Sequence, residues 1–372
     1  MNTERYDRQI KLKGFGPHGQ EFLAQSRVLL VGAGGLGVPA ALYLNAMGVG
    51  RLGLIDGDQV ELSNLHRQPI YTEADLGKLK VDCLSRFLKQ QNPKSSITVL
   101  DTFLHARNAL EILASYDLII DATDNLETRY LLDDACLMLD KPWIYGALHG
   151  FEGQVSVFNY QGGPTYRCLF PKMPEQGEIP DCNTLGTLGI LPAIIGSFQA
   201  LEAVKVLCDL EGVLSGKLMI FEGLEQQSRT IAFKRNPNRA IPKEIVAENY
   251  NANLCDSGSE AVSYESYLRE RNSNQTALID VREISEFENG SLPEARIVPL
   301  SNLKGTLDQH NSDGKAVQEL FGKDTSRATR IFLICKSGPR SRVACSLLSQ
   351  YFPEYEFAWI EGGMRSIKTT SR

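Results

Sequence analysis

Short apolar runs alternate with helix-period stretches through the first two-thirds of the chain. Val28–Val31, Arg51–Ile55, Ile97–Leu100, Asp117–Ala122 and Trp143–Ala147 read as strands, and Pro39–Met47, Lys78–Gln90 and Leu126–Asp140 as helices. In Lys78–Gln90 the apolar positions Leu79, Val81, Leu84, Phe87 and Leu88 recur at helical spacing. Strands this short and this apolar, separated by helices, predict a parallel, doubly wound α/β sheet covered on both faces. Gly153–Tyr160 and Lys217–Glu222 predict antiparallel additions to it. The composition turns polar near Arg235, and the turn-rich stretch from Asn236 through Ser259 reads as connecting chain. A smaller α/β unit follows, with strands at Ala277–Val281, Arg330–Cys335 and Glu356–Ile360 and a helix at Arg342–Gln350. We place the domains at 1–248 and 262–372, joined by a linker at 249–261.

The length agrees with two domains, since 372 residues exceed the roughly 250–300 at which one core stops growing. A net charge of −6 argues against a nucleic-acid binder, which is usually basic. Met1–Arg8 lacks the apolar core of a signal peptide, and the greasiest run, Leu185–Cys208, is interrupted by Pro192, Gln199, Glu202 and Lys205. That run predicts a buried helix pair and a candidate oligomer interface, with no membrane span, and a cytoplasmic protein. The eight cysteines include no C-x-x-C pair, so in a cytosolic chain a disulfide framework is not expected.

Gly32, Gly34 and Gly37, with Gly35 between them, fit the glycine loop that lies between a strand and a helix and cradles phosphate at the helix N-terminus. The loop alone is a weak signal, because a glycine turn also serves to pack helix on strand. Asp56 ends the next strand, where a ribose-binding acid sits. Arg67 and Lys80 lie just beyond it, and Asp124 and Asn125 follow the strand ending at Ala122, at a carboxyl end. Taken singly, Lys80 could be a solvated helix lysine and Asp124 an ordinary helix cap. Together, two cations and a carboxylate able to hold Mg²⁺ against phosphate oxygens suit ATP better than a nicotinamide.

A second chemistry is written at Cys335. A strand delivers it into Lys336-Ser-Gly-Pro-Arg340-Ser341, and a helix follows. Consecutive N–H groups in such a loop form an anion-binding nest. Lys336, Arg340 and the helix N-terminus are expected to favour the thiolate.

Arg5-Tyr-Asp-Arg8-Gln-Ile, Val31-Gly-Ala-Gly-Gly-Leu-Gly37, Asp56-Gly-Asp58, Asn64-Leu-His-Arg67-Gln68, Lys80 and Asp121-Ala-Thr-Asp124-Asn125 resemble the ubiquitin-activating-type adenylyltransferases. The similarity is greatest to the activators of sulfur carriers in molybdopterin and thiamine synthesis, and it covers residues 1–235. The resemblance implies a homodimer that uses ATP and magnesium to adenylate the C-terminal glycine of a small ubiquitin-like carrier ending in diglycine. It implies ribose binding by Asp56, phosphate binding by Arg67 and Lys80, nucleotide contacts by Asp58, Asn64, Gln68 and Asn125, and Mg²⁺ at Asp124. Arg8 would reach the ATP of the neighbouring subunit, and Cys182 would occupy the place of a reactive cysteine. One departure concerns zinc. Relatives that bear it carry a C-x-x-C near Cys168 and another at the end of the domain. Here Thr165-Tyr-Arg-Cys168 keeps one cysteine, and Arg235–Pro242 has none, so four ligands are lacking and no structural zinc is expected.

The Cys335 loop resembles that of rhodaneses, as do Leu278-Ile-Asp-Val-Arg-Glu283 and Glu361-Gly-Gly-Met-Arg365, over residues 262–370. Four residues separate Cys335 from Arg340; related phosphatases have a longer loop, so sulfur is favoured over phosphate. The resemblance implies a Cys335 persulfide, loaded by a cysteine desulfurase or thiosulfate, that attacks the acyl-adenylate, after which reduction, with Cys182 a candidate, releases a thiocarboxylate. The rival readings are an NAD-dependent oxidoreductase with an accessory sulfur domain and a non-catalytic scaffold for a ubiquitin-like partner.

Overall fold

The computed structural model describes residues 3–174, 186–250, 260–271, 275–303, 329–336, 338–352 and 354–370. The chain divides into two units, Met1–Tyr250 and Asn251–Arg372.

The first unit is built on an eight-stranded sheet in the order β3-β2-β1-β4-β5-β6-β7-β8. The strands are β1 (Arg27–Val31), β2 (Arg51–Ile55), β3 (Ser96–Leu100), β4 (Leu118–Asp121), β5 (Trp143–His149), β6 (Glu152–Phe158), β7 (Lys217–Glu222) and β8 (Gln227–Ala232). The first five run parallel and the last three antiparallel. Both faces of the parallel part are covered, as its apolar runs require. Val28 and Leu30 pack into the core beneath the helices Gly37–Met47 and Ile190–Leu207, whereas Leu29 and Val31 pack on the other side with Leu131 and Ala135 of the helix Leu126–Met138. From β1 the chain steps to β2 and β3 on one side and returns to β4 and β5 on the other. The crevice at the carboxyl ends of β1 and β4 is therefore the topological switch point, where open α/β sheets bind ligands.

The run Leu185–Cys208 forms a single helix over its described part, Ile190–Leu207, instead of a helix pair. Pro192 lies in its first turn, where no intrahelical N–H is needed, so the helix is not broken. Among the described residues it is the helix long and apolar enough to cross a membrane, and half of it is buried in the unit. The stretch after Arg235 also departs from the linker reading. Arg239 and Tyr250 fold back onto Asp134.

The second unit carries a five-stranded parallel sheet in the order β11-β10-β12-β13-β9. Its strands are β9 (Glu260–Val262), β10 (Thr276–Asp280), β11 (Ala295–Ile297), β12 (Arg330–Ile334) and β13 (Glu356–Ile360). β9 begins within the stretch read as linker. β12 lies at the centre, buried from Ile331 onward, and Cys335 follows its carboxyl end.

Candidate functional site

A cleft of about 670 Å³ opens at the carboxyl ends of β1, β2 and β4. Gly32, Gly34, Gly35, Asp56, Asp58, Asn64, Arg67, Gln68, Lys80, Asp124 and Asn125 line it. Gly32 has φ +106°, and a Cβ there would stand 2.6 Å from the carbonyl oxygen of Ala122. Only glycine lets the loop leave β1 this close to β4. Gly37 opens the helix Gly37–Met47, against the Gly32 carbonyl, and does not line the cleft.

Asp56 holds the loop in place. Its Oδ2 accepts from the Ala33 N–H at 2.7 Å and its Oδ1 from the Asp58 N–H at 2.8 Å. Burial raises its pKa above the ordinary carboxylate value, while Lys80 and these N–H groups pull the other way. Lys80 starts the helix Lys80–Gln91 and is buried, with Nζ 2.9 Å from Oδ2 of Asp58. Tyr71 was not legible in the sequence. Its buried hydroxyl donates to the carbonyls of Ala33 at 2.8 Å and Lys80 at 3.3 Å, joining the glycine loop to the root of the lysine. Burial raises the Tyr71 pKa, so the phenol stays neutral and remains a donor.

On the opposite wall Asp124 is exposed, and Asn125 caps the helix Leu126–Met138 by accepting the Thr128 N–H at 2.8 Å. The helix cap is thus Asn125, and Asp124 lines the cleft. Arg129, also missed, lines the cleft while paired with buried Asp121 at 3.2 Å and donating to the Thr123 carbonyl at 3.0 Å. Arg67 is half-buried and donates to the Ser63 carbonyl at 3.1 Å. Gln68 is buried and donates to Asn64 Oδ1 at 3.1 Å. Arg8 lies on the exposed part of the helix Thr3–Ile10 and does not line this cleft. Cys182 lies outside the described residues. Among the described residues no cluster of three or more His, Cys, Asp or Glu could hold a metal. Cys168 instead accepts from the backbone N–H groups of Thr165 at 3.4 Å and Asn236 at 3.3 Å.

The donor set fits a nucleoside triphosphate. The glycine loop and the helix N-terminus offer positive dipole to phosphate, Lys80 adds a fixed cation, and Asp124 supplies the oxygen ligand Mg²⁺ prefers.

In the second unit Cys335 is 1% exposed. Its Sγ accepts from the Gly338 N–H at 3.1 Å and lies 3.5 Å from the Ser341 hydroxyl. Gly338, at φ +112°, caps the helix Pro339–Tyr351, whose N-terminus faces the sulfur. Arg340 lies within electrostatic reach of the thiol, and it is also paired with an acid that the sequence did not point to. Both of its terminal nitrogens are held by Glu286, at 2.5 and 2.8 Å. In the Leu278–Glu283 stretch Asp280 and Arg282 form a buried pair at 2.7 Å that secures the end of β10.

A glycine-loop cleft with a buried lysine, on a parallel sheet extended by antiparallel strands, defines a nucleotide-dependent activating enzyme of the ubiquitin-activating type. The chain belongs to the ThiF family, whose match spans residues 6–242, and carries a rhodanese-like domain over 263–370. It is 38% identical over 372 residues to the adenylyltransferase and sulfurtransferase MOCS3 of Aedes aegypti, covering 95% of this chain and 83% of the relative. It is 47% identical over 239 residues to the sulfur carrier protein adenylyltransferase of Thermus thermophilus, covering 63% of this chain and 88% of that one. The fold matches E. coli MccB in its complex with the N7isoAsn form of MccA. The TM-score is 0.58 at 21% identity, over 65% of this chain and 74% of that one.

Proposed function

We propose that this protein adenylates the C-terminal glycine of a ubiquitin-like sulfur carrier and then converts the activated carboxylate to a thiocarboxylate. The observation that carries the first step is the buried Lys80 beside Asp58 in the glycine-loop cleft. A carboxylate is a poor acyl donor, and its attack on the α-phosphorus of ATP expels pyrophosphate and leaves an acyl-adenylate in which AMP is a good leaving group. Negative charge grows on the phosphate oxygens in that transfer, so fixed cations and N–H dipoles are the required catalysts. Lys80, Arg67 and the Ala33–Gly37 backbone supply them, while Asp56, already oriented by two N–H donors, keeps lone pairs for a ribose hydroxyl. Magnesium held at Asp124 would neutralise further phosphate charge.

The second step uses Cys335. Its persulfide attacks the acyl carbon, AMP leaves with the bonding pair, and an acyl disulfide results. A second thiol, assigned to Cys182, attacks the Cys335 sulfur, releases the thiocarboxylate and leaves a Cys335–Cys182 disulfide for a cellular dithiol to reduce. A homodimer in which Arg8 reaches the partner's nucleotide, and a cytoplasmic location, complete the reading.

The test incubates the full chain with diglycine-ended carriers, ATP and a sulfane-sulfur donor. Asp124→Ala should abolish carrier-stimulated ATP–pyrophosphate exchange, and Cys335→Ala should retain exchange but form no thiocarboxylate by mass spectrometry. Exchange absent with every carrier would sink the adenylation reading.

A further inference from the structure

The rim of the sulfur loop carries an acid that this chemistry does not call for. Glu286 sits in the turn Ile284–Asn289 and grips Arg340 with both carboxylate oxygens, Oε2 to Nη1 at 2.5 Å and Oε1 to Nη2 at 2.8 Å. Oε2 also accepts the Glu283 N–H at 3.0 Å, so the carboxylate is fixed from its own turn as well. The two side chains are 32% and 27% exposed, which takes the pair partly out of water and strengthens it. Lys336, next to Cys335, adds its charge near Glu286, and two further arginines beside the loop are engaged. Arg342 lies 5.9 Å over the Trp359 ring, and Arg282 is bound to Asp280 and to the Gly290 carbonyl. The Gly338 N–H is directed at Cys335 Sγ itself.

A small dianion approaching Cys335 therefore meets an arginine whose charge is offset by a carboxylate bound across its two terminal nitrogens, with only its remaining N–H groups to offer. It must displace Glu286 or lie beside it. A persulfide presented by a donor protein brings at most one charge at its reacting end and needs no guanidinium fork. We propose that Glu286 sets the donor preference of the Cys335 loop, turning it away from thiosulfate and toward a persulfide sulfur. This rests on the reading of Cys335 as the sulfur-accepting thiol. With either donor the Cys335 thiolate attacks the sulfane sulfur and a Cys335 persulfide forms. The S–S bond of the donor breaks, and its electron pair leaves on sulfite in one case and on the donor thiolate in the other, so no outside oxidant or reductant is consumed.

The experiment measures kcat/KM of the full-length protein for sulfur transfer to cyanide, with thiosulfate and with glutathione persulfide. In Glu286→Gln the thiosulfate-to-persulfide ratio should rise about tenfold, as expected when a carboxylate beside a charged substrate is neutralised. In Arg340→Gln, which leaves the acid unopposed, the ratio should fall, and the double variant should return close to the wild-type ratio. A structural role alone would lower both activities together and leave the ratio fixed. An unchanged ratio in both single variants overturns the proposal, and Arg340→Gln decides it if Glu286→Gln fails to fold. Mass spectrometry of the Cys335 peptide separates the two layers. If neither donor adds a sulfur atom to the wild-type peptide, the reading of Cys335 falls and the donor preference falls with it.

Discussion

The side chain of Lys80, 7% exposed, places its ammonium 2.9 Å from Oδ2 of Asp58, whose side chain is 58% exposed. The asymmetry matters. The lysine is fixed in the cleft wall, while its partner stands in solvent and can be exchanged for a phosphate oxygen. Replacing Lys80 with Met should leave the fold intact, because no buried charge is orphaned when Asp58 remains hydrated. Carrier-stimulated ATP–pyrophosphate exchange should fall by about 10²–10³, the usual cost of removing one fixed transition-state donor. Steady-state exchange assays together with a melting curve check both halves.

Tyr71→Phe keeps the ring and removes the donor shared by the carbonyls of Ala33 and Lys80. Two buried acceptors then lose a partner, at roughly 1–3 kcal/mol for such a loss. The damage should also reach catalysis, since the glycine loop and the lysine root are no longer tied to each other. The expected outcome is a lower urea midpoint and a lower kcat for exchange, with any change in KM for ATP smaller than the change in kcat.

The parallel strands were legible because they are apolar on both faces. β2 and β7 match their predicted limits, and β1, β3, β4 and β5 differ by a residue or two. Other elements carry no such signal. The helix Thr3–Ile10 is nearly all polar and is held by contacts distant in sequence, Tyr6 to Asn92 and Gln9 to the Met47 carbonyl. Strand β8 is exposed throughout and exists through its ladder with β7. The glycine loop, Asp56 and Asp124 could be placed in one cleft because each lies at or next to a strand end, whereas Lys80, at a helix start, was placed there by the family resemblance. Tyr71, Arg129 and Glu286 were not legible, because their roles come from partners that chain spacing does not reveal: two carbonyls, Asp121, and an arginine in a loop far along the chain.

The Glu286–Arg340 pair predicts an acid limit for the second unit. Arg340 holds the Glu286 carboxyl down at about 2, against an ordinary 4.5. A carboxylate whose pKa is depressed on folding contributes stability above its unfolded pKa and loses it as pH falls toward the folded one. Wild type should therefore exceed Glu286→Gln in stability at pH 7, and the difference should shrink from about pH 4.5 downward toward about 2. Hydrogen exchange in the helix Pro339–Tyr351 reads this out. A difference that stays constant across that window would count against the pair as its source.

The end of the first unit is closed by side chains gathered around Asp134. Asp134, buried in the helix Leu126–Met138, accepts from Arg167 at 2.7 and 3.1 Å, from Tyr250 at 2.8 Å and from Arg239. One carboxylate thus joins that helix, the turn Tyr166–Leu169 and the segment after Arg235. Cys168 lies at the same junction and accepts the Asn236 N–H at 3.3 Å. Asp134→Ala takes the carboxylate from Arg167 and Tyr250 and leaves Arg239 with Asp133 at 3.7 Å, a loss on the order of 3–5 kcal/mol for a broken buried ion pair. Limited proteolysis should then open the chain between Arg235 and Tyr250 before the rest of the unit. If these side chains close the end without a metal, a strong chelator should leave the wild-type melting temperature unchanged and metal analysis should find no stoichiometric zinc. A chelator-induced fall in melting temperature, reversed by zinc, would show that Cys168 has ligands beyond the backbone groups that hold it here.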